Sequence, residues 1–287
     1  MKLGLRPPRE DEWRICRMLL PETFADVTSR TYLLGIRDQA PHIVAAASFR
    51  QGPEALTQLR LHVVPAFRRC GVGSQIIEHV ARSGARSISG TVEITKEAGA
   101  VEFCERNHFD RVDALTNVEA DFAEMREYLS RLRGRFAPSR GARTVPLSAA
   151  PVDQVAQLHA QHVAQEGELN QWRGLVAHTP EMDISPVVMI DGRVAGILLG
   201  ELDGPTAVVR SRVVAPGYHG TWVNATLLAE ALDIAWAAGI RRARFSYTDS
   251  NRDTQKLAMR FRAEITGVVA RFTRQMEPPA GIEPATC

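Results

Sequence analysis

The residues with the clearest chemical purpose lie between Leu61 and Ser74, in the run Leu-His-Val-Val-Pro-Ala-Phe-Arg-Arg-Cys-Gly-Val-Gly-Ser. Up to Val63 apolar and polar residues alternate, the period of a half-buried strand. Pro65 breaks that pattern, and from Gly73 onward Ile76, Ile77, Val80 and Ala81 recur at helical spacing. Between the two patterns sit Arg68, Arg69, Gly71 and Gly73. The first amides of a helix have no partner within it and stand at the positive end of its dipole. Glycine lets an anion approach those amides closely, and neighbouring arginines add positive charge. A strand, a loop of this composition and a helix therefore suit a bound phosphate. No Gly-Lys-Ser/Thr follows, so this is not a Walker loop, and Arg68 and Cys70 do not supply the glycine spacing of a dinucleotide fingerprint. A bare strand-to-helix turn and a nucleotide-phosphate site are the other readings of the same residues.

The pattern Arg68-x-x-Gly71-x-Gly73, with Val63-Val64-Pro65 before it and Ile76-Ile77 after it, resembles the cofactor loop of the GCN5-related N-acetyltransferases, the GNAT family. The resemblance implies acetyl-CoA as co-substrate and no metal. It implies cofactor contacts from Val63, Val64, Arg68, Arg69, Cys70, Gly71, Val72, Gly73 and Ser74, with Phe103 from the next helix. The edge of the strand Leu59–Val64 would pair with the amides of pantetheine, as an added strand does.

In that family the amine attacks the thioester directly, and a strand amide, here near Val63, polarises the carbonyl. Two proton-handling groups then matter. His62, on the polar side of the cofactor strand, has an imidazole with an ordinary pKa near ~6.5. Glu93 lies near the carboxyl end of the next strand, where α/β folds gather ligands. Either suits the general base. The family often carries Asn-x-x-Ala…Tyr-x-x-x-Gly-Phe in the following helix, with the tyrosine as acid. Here Glu97 stands at the asparagine position, Cys104 at the tyrosine position and His108 at the glycine position. An unperturbed thiol, at about 8.5, would be nearly balanced against the departing CoA thiolate. Cys104 is thus the candidate acid, or simply a small buried hydrophobe.

These groups need a scaffold, and the sequence patterns supply one. Leu3–Leu5, Thr31–Ile36, His42–Phe49, Leu56–Val64, Ser87–Ile94 and Val112–Phe122 read as strands. Segments 10–20 and Ala98–Arg106, together with the run from Gly73, read as helices. This is an α/β (α+β layered) domain: a mixed, mostly antiparallel sheet flanked by helices. The plan then repeats. Helices are predicted at Val152–Ala164, Asn224–Ala238 and Thr254–Phe261. Strands are predicted at Pro186–Ile190, Val194–Glu201, Ala207–Val214, Arg244–Thr248 and Val268–Phe272, with an Asp191-Gly192 hairpin signal between the first two. Pro65 and Pro216 lie 151 residues apart, Gly84 and Gly239 155, and Glu97 and Asn251 154, the mark of a duplicated domain. The expected division is residues 1–132, a Gly-, Pro- and Arg-containing linker at 133–142, a second domain at 143–275, and a Pro-rich tail at 276–287.

In the second copy His219 stands at the position of Arg68, Trp222 at Gly71, Asn224 at Gly73 and Ala258 at Cys104. A tryptophan there would fill the space of a diphosphate, which predicts no CoA in this copy. Its roles are then those of a structural half of a pseudo-dimer, or of a wall of the acceptor pocket. Tyr247 and Asp249 are its candidate acceptor contacts. The loops around 22–30 and 166–179 would supply pocket walls.

Composition narrows the function class. With 35 Lys+Arg against 33 Asp+Glu the formal charge is +2, which implies no nucleic-acid or membrane partner. The four cysteines are scattered and suggest neither a zinc site nor a disulfide framework. No apolar run approaches a membrane span, and the start has no signal-peptide core, so a cytoplasmic location is expected. The expected function is an N-acetyltransferase acting on the amine of a small molecule, as a monomeric pseudo-dimer or a homodimer. The alternatives are a non-catalytic acyl-CoA-binding or regulatory protein and a protein acetyltransferase.

Overall fold

A computed structural model describes residues 3–20, 31–37, 42–51, 56–83, 85–133, 139–162 and 184–276. The loops at 22–30 and 166–179, Gly84 and the tail lie outside the described residues. In chain order the elements are β1 (Leu3–Arg6), α1 (Trp13–Leu19), β2 (Thr31–Arg37), β3 (Ile43–Gln51), β4 (Leu56–Val63), α2 (Val72–Arg82), β5 (Ser87–Glu93), α3 (Ala98–Arg106) and β6 (Asp110–Asp121). There follow α4 (Phe122–Arg133), β7 (Ala142–Pro146), α5 (Val152–His162), β8 (Pro186–Ile190), β9 (Arg193–Asp203), β10 (Thr206–Val214), α6 (Trp222–Ala237), β11 (Arg242–Thr248), α7 (Arg252–Arg260) and β12 (Glu264–Gln275). The expected fold class, a mostly antiparallel mixed sheet with flanking helices, is borne out.

The chain forms two compact units, Met1–Ala114 with Val269–Cys287, and Leu115–Val268. In the first, strands run in the order β1-β2-β3-β4-β5-β12. Among the described residues of this unit the β4–β5 pair alone is parallel, and it bonds over three positions, Leu56↔Ser87, Thr57↔Ile88 and Gln58↔Ser89. Beyond Gln58 the two strands part. Ile76, Ile77 and Val80 bury one face of α2, and Cys16 and Leu20 pack with Leu34 and Ala46 on the side of α1. In the second unit the order is β6-β11-β10-β9-β8-β7, again with one short parallel pair, from Thr206↔Arg242 to Val208↔Arg244. Its core joins Phe122 and Met125 of α4, Leu227 and Leu232 of α6, and Phe245 and Phe261. Asp191 (φ 49) and Gly192 (φ 79) are both left-handed, as the hairpin signal requires.

The contact-based division differs from the expected one for a topological reason. The strand that follows α3 does not finish the first unit: residues Leu115–Asp121 of β6 pair with β11 in the second. The edge of β5 is bonded instead by Val269–Gln275, from the far end of the chain. Two further elements escaped the sequence patterns. The segment after Asp121 is helix α4, not the end of a strand, and β7 pairs with β8 just after the predicted linker. Among the described residues no helix is long and apolar enough to cross a membrane.

Phe272 of β12 is 2% exposed within the first unit, some 180 residues after β5. Phe272→Ala is expected to destabilise this unit by about 3–5 kcal/mol, as buried Phe truncations do. Denaturant unfolding followed by a probe in the first unit measures it; a loss under about 1 kcal/mol would show that β12 is not integral there.

Candidate active site

Helix α2 begins in an unusual way. Its N-cap residue is Gly71, at φ 78 and ψ 0, and no side chain accepts a bond from the first turn. That left-handed conformation favours glycine. The first helical bond runs from Gln75 N–H to Gly71 O at 3.1 Å, so the amides of Val72, Gly73 and Ser74 have no acceptor within the helix. Ahead of them Arg69 also has a positive φ, 62, a conformation that costs a non-glycine residue about 1 kcal/mol. Arg68 is exposed, and its Nε donates to Val63 O at 3.1 Å, anchoring the guanidinium at the end of β4.

The two glycines serve different ends. At Gly71 a Cβ would meet only the end of Gln75, and the backbone conformation is what demands glycine. At Gly73 the backbone is helical, but a Cβ would lie 2.8 Å from the ring of Phe103 and 3.4 Å from Leu61. Gly73 is therefore small because α3 packs against the start of α2, rather than to admit a phosphate. Phe103, expected at the cofactor, is the residue that sets this contact.

Below the loop the parted strands open a cavity of about 470 Å³, walled in part by His62, Glu93, Glu97, Phe103, Cys104 and Phe272. The three expected proton-handling residues thus share one space. Val64 N–H bonds Val44 O on β3. Successive residues of a strand bond to opposite sides, so the Val63 N–H faces the gap, where a polarising amide is required. His62 is half-buried, and burial and then the nearby Arg68 lower its pKa, with Glu97 opposing. Its imidazole is accordingly neutral at pH 7 and able to accept a proton. Glu93 is bound to Lys96 at 2.9 Å, which engages its carboxylate.

Cys104 does not have the acidity expected of it. It is 8% exposed, and burial, with the charge of Glu105, pushes its thiol up to about 11. Against a leaving thiol of about 8.5 it is a poor proton donor, and it packs as a small buried side chain. His108, at the glycine position of the family pattern, has φ 60, so that position does require a left-handed residue. Glu97, the cavity residue that interacts with His62, was visible in the sequence only as a departure from an asparagine. Phe272 and Val269 carried no signal, because nothing local shows that the chain's last strand returns here.

The second unit repeats the loop and reverses its outcome. Ala215 N–H bonds Ala195 O as Val64 bonds Val44, and His219 Nε2 meets Val214 O at 2.7 Å as Arg68 meets Val63. Gly220 (φ 71) sits at the position of Arg69. Helix α6, however, includes Trp222 and is capped by Thr221, whose side chain accepts from Val223 N–H at 3.4 Å. Here a side chain meets one of the first amides, which none does in α2.

Residues 4–109 match the model of the acetyltransferase (GNAT) family. That segment, about a third of the chain, is similar to a GNAT acetyltransferase domain. The sequence finds no match among curated proteins. Among solved structures, a GCN5-related N-acetyltransferase from Sphaerobacter thermophilus aligns at 14% identity and TM-score 0.63, over 99% of this chain and 98% of that one. A tandem GNAT protein from the clavulanic acid biosynthesis pathway aligns at 17% and 0.63, over 96% and 99%. A probable N-acyltransferase from Enterococcus faecalis aligns at 9% and 0.59, over 96% and 73%. At these identities the similarity shows the fold, which extends along the whole chain. The GNAT family is one of acyltransferases, and the strands that part at Gln58 lie inside its matched domain.

The packing at Gly73 is testable. Gly73→Ala is expected to cost about 1–3 kcal/mol through overpacking against Phe103. Adding Phe103→Leu, the pairing of larger and smaller residue found at Asn224 and Leu257, is expected to recover most of it. Thermal unfolding of the single and double variants measures both; a harmless Gly73→Ala would contradict the contact.

Proposed function

We propose that the GNAT domain transfers an acetyl or other small acyl group from acyl-CoA to the amine of a small molecule by direct attack. The observation that carries this reading is the uncapped start of α2, with two arginines beside it, opening onto a cavity that holds a neutral imidazole. The diphosphate of CoA accepts from the amides of Val72, Gly73 and Ser74, with Arg68 and Arg69 supplying countercharge. Pantetheine follows the unpaired edge of β4. The thioester carbonyl accepts from Val63 N–H, which stabilises the oxyanion that forms as nitrogen attacks carbon. His62 removes the proton that the attacking nitrogen must lose. The carbon–sulfur bond then breaks, and CoA leaves as a thiolate that takes its proton from water, since the Cys104 thiol is too weak an acid to supply it. Glu93, held by Lys96, and Glu97 place negative charge near the incoming amine.

The absence of a good acid also motivates the second reading, an acyl-CoA-binding protein without turnover. Release of CoA thiol from acetyl-CoA against a panel of small amines separates the two. With an accepted amine, kcat/KM is expected to rise with pH through an inflection below 6.5, because burial and Arg68 favour neutral His62 and the base is active only when unprotonated. His62→Gln is expected to lose that inflection and about 10²–10³ in kcat/KM, while Cys104→Ser changes it only a few-fold. Binding of acetyl-CoA with no thiol release for any amine would leave the non-catalytic reading; an unchanged profile in His62→Gln would remove His62 as base.

A further inference from the structure

The second unit carries its own parted strands. β10 and β11 pair only to Val208↔Arg244, yet run on to Val214 and Thr248. The duplication shows which residues correspond to the walls of the cavity in the first unit. Leu20, Leu61, Ser89 and Ala100 all line that cavity. With α1 and α5 starting 139 residues apart, Leu20 corresponds to His159. Leu61 corresponds to Arg212 at the 151-residue spacing of the paired loops. Ser89 corresponds to Arg244, since both end their parallel pairing, and Ala100 to Thr254, since both follow an N-cap by three. Three apolar positions and one serine have become a histidine, two arginines and a threonine.

The new side chains have hydrogen-bonding capacity to spare. His159 is 1% exposed, and neither ring nitrogen has a partner. Nitrogens so placed ordinarily bond to something. Burial lowers its pKa, so the ring is neutral and has one donor and one acceptor to offer. Arg212 Nη2 donates to Thr254 Oγ1 at 3.1 Å. Desolvation outweighs the pull of Asp253 and draws its pKa down to about 10. Arg244 is ion-paired with Asp203, but its buried Nε is unsatisfied. Thr254 stands in the first turn of α7, whose dipole favours negative charge.

We propose that the gap between β10 and β11 binds a small carboxylate- or phosphate-bearing anion, held by Arg212 and Thr254, with His159 as a further hydrogen-bonding group. The duplicated unit has exchanged the thioester site for an anion site. This is independent of the chemistry in the GNAT domain.

The test is thermal unfolding of the full chain at constant ionic strength, with sodium chloride exchanged for inorganic phosphate or for citrate. One of the two is expected to stabilise the wild type saturably beyond chloride, and which one does so distinguishes phosphate from carboxylate. Its apparent affinity is expected to fall at least tenfold in Arg212→Leu, which restores the residue of the first unit, and to survive in Arg68→Ala/Arg69→Ala. Loss in the Arg68/Arg69 variant with retention in Arg212→Leu, or no effect beyond chloride, overturns the proposal. Should Arg212→Leu fail to fold, the wild-type His159 ring signals, followed by NMR during the same titration, decide: displacement supports the site and invariance overturns it.

Discussion

Helix α2 starts with no side chain to satisfy its first amides, and the first unit is arranged around that deficit. An N-terminal turn ordinarily draws on a serine, threonine, aspartate or asparagine at the cap. Here the cap is a left-handed glycine that offers nothing. A strained Arg69 and an Arg68 anchored on Val63 gather positive charge at the same point. The parting of β4 from β5 just beyond Gln58 places a cavity and an unpaired strand edge next to it. In the proposed function the loop takes the anion, the strand edge takes pantetheine and the cavity holds the reacting groups beside His62.

Comparison of the two units isolates what each feature contributes. The backbone bonds that shape the loop recur at a constant spacing, so geometry alone does not decide binding. What differs is satisfaction. Thr221 caps α6, and Trp222 occupies the place of Gly71. Arg212 reaches Thr254 from the position where Leu61 borders a cavity. A duplicated fold thus keeps its turn chemistry while the side chains around it change from apolar to polar.

The sequence made legible whatever depends on local period and backbone conformation. Alternation located β4, the Asp191-Gly192 pair marked the hairpin of β8 and β9, and the glycine–arginine run marked the helix start with its exceptional φ values. It did not reveal what depends on distant pairing. β12 bonds β5 across most of the chain, so Phe272 could not be placed in the cavity, and the end of β6 passes to the second unit. Gly73 looked like an allowance for phosphate because the ring of Phe103 above it comes from another helix. Cys104 looked like an acid because burial, which moves its thiol to about 11, is a tertiary property. Helix α4 has a polar surface and follows a strand without a break, which hid its period.

A crystal structure of the full chain with acetyl-CoA tests the central claim most directly. The diphosphate oxygens are expected within hydrogen-bond distance, about 3 Å, of the amides of Val72, Gly73 and Ser74, with the thioester beside Val63. Density for the cofactor at Trp222, or a diphosphate that touches side chains alone and leaves those amides without it, would contradict the account.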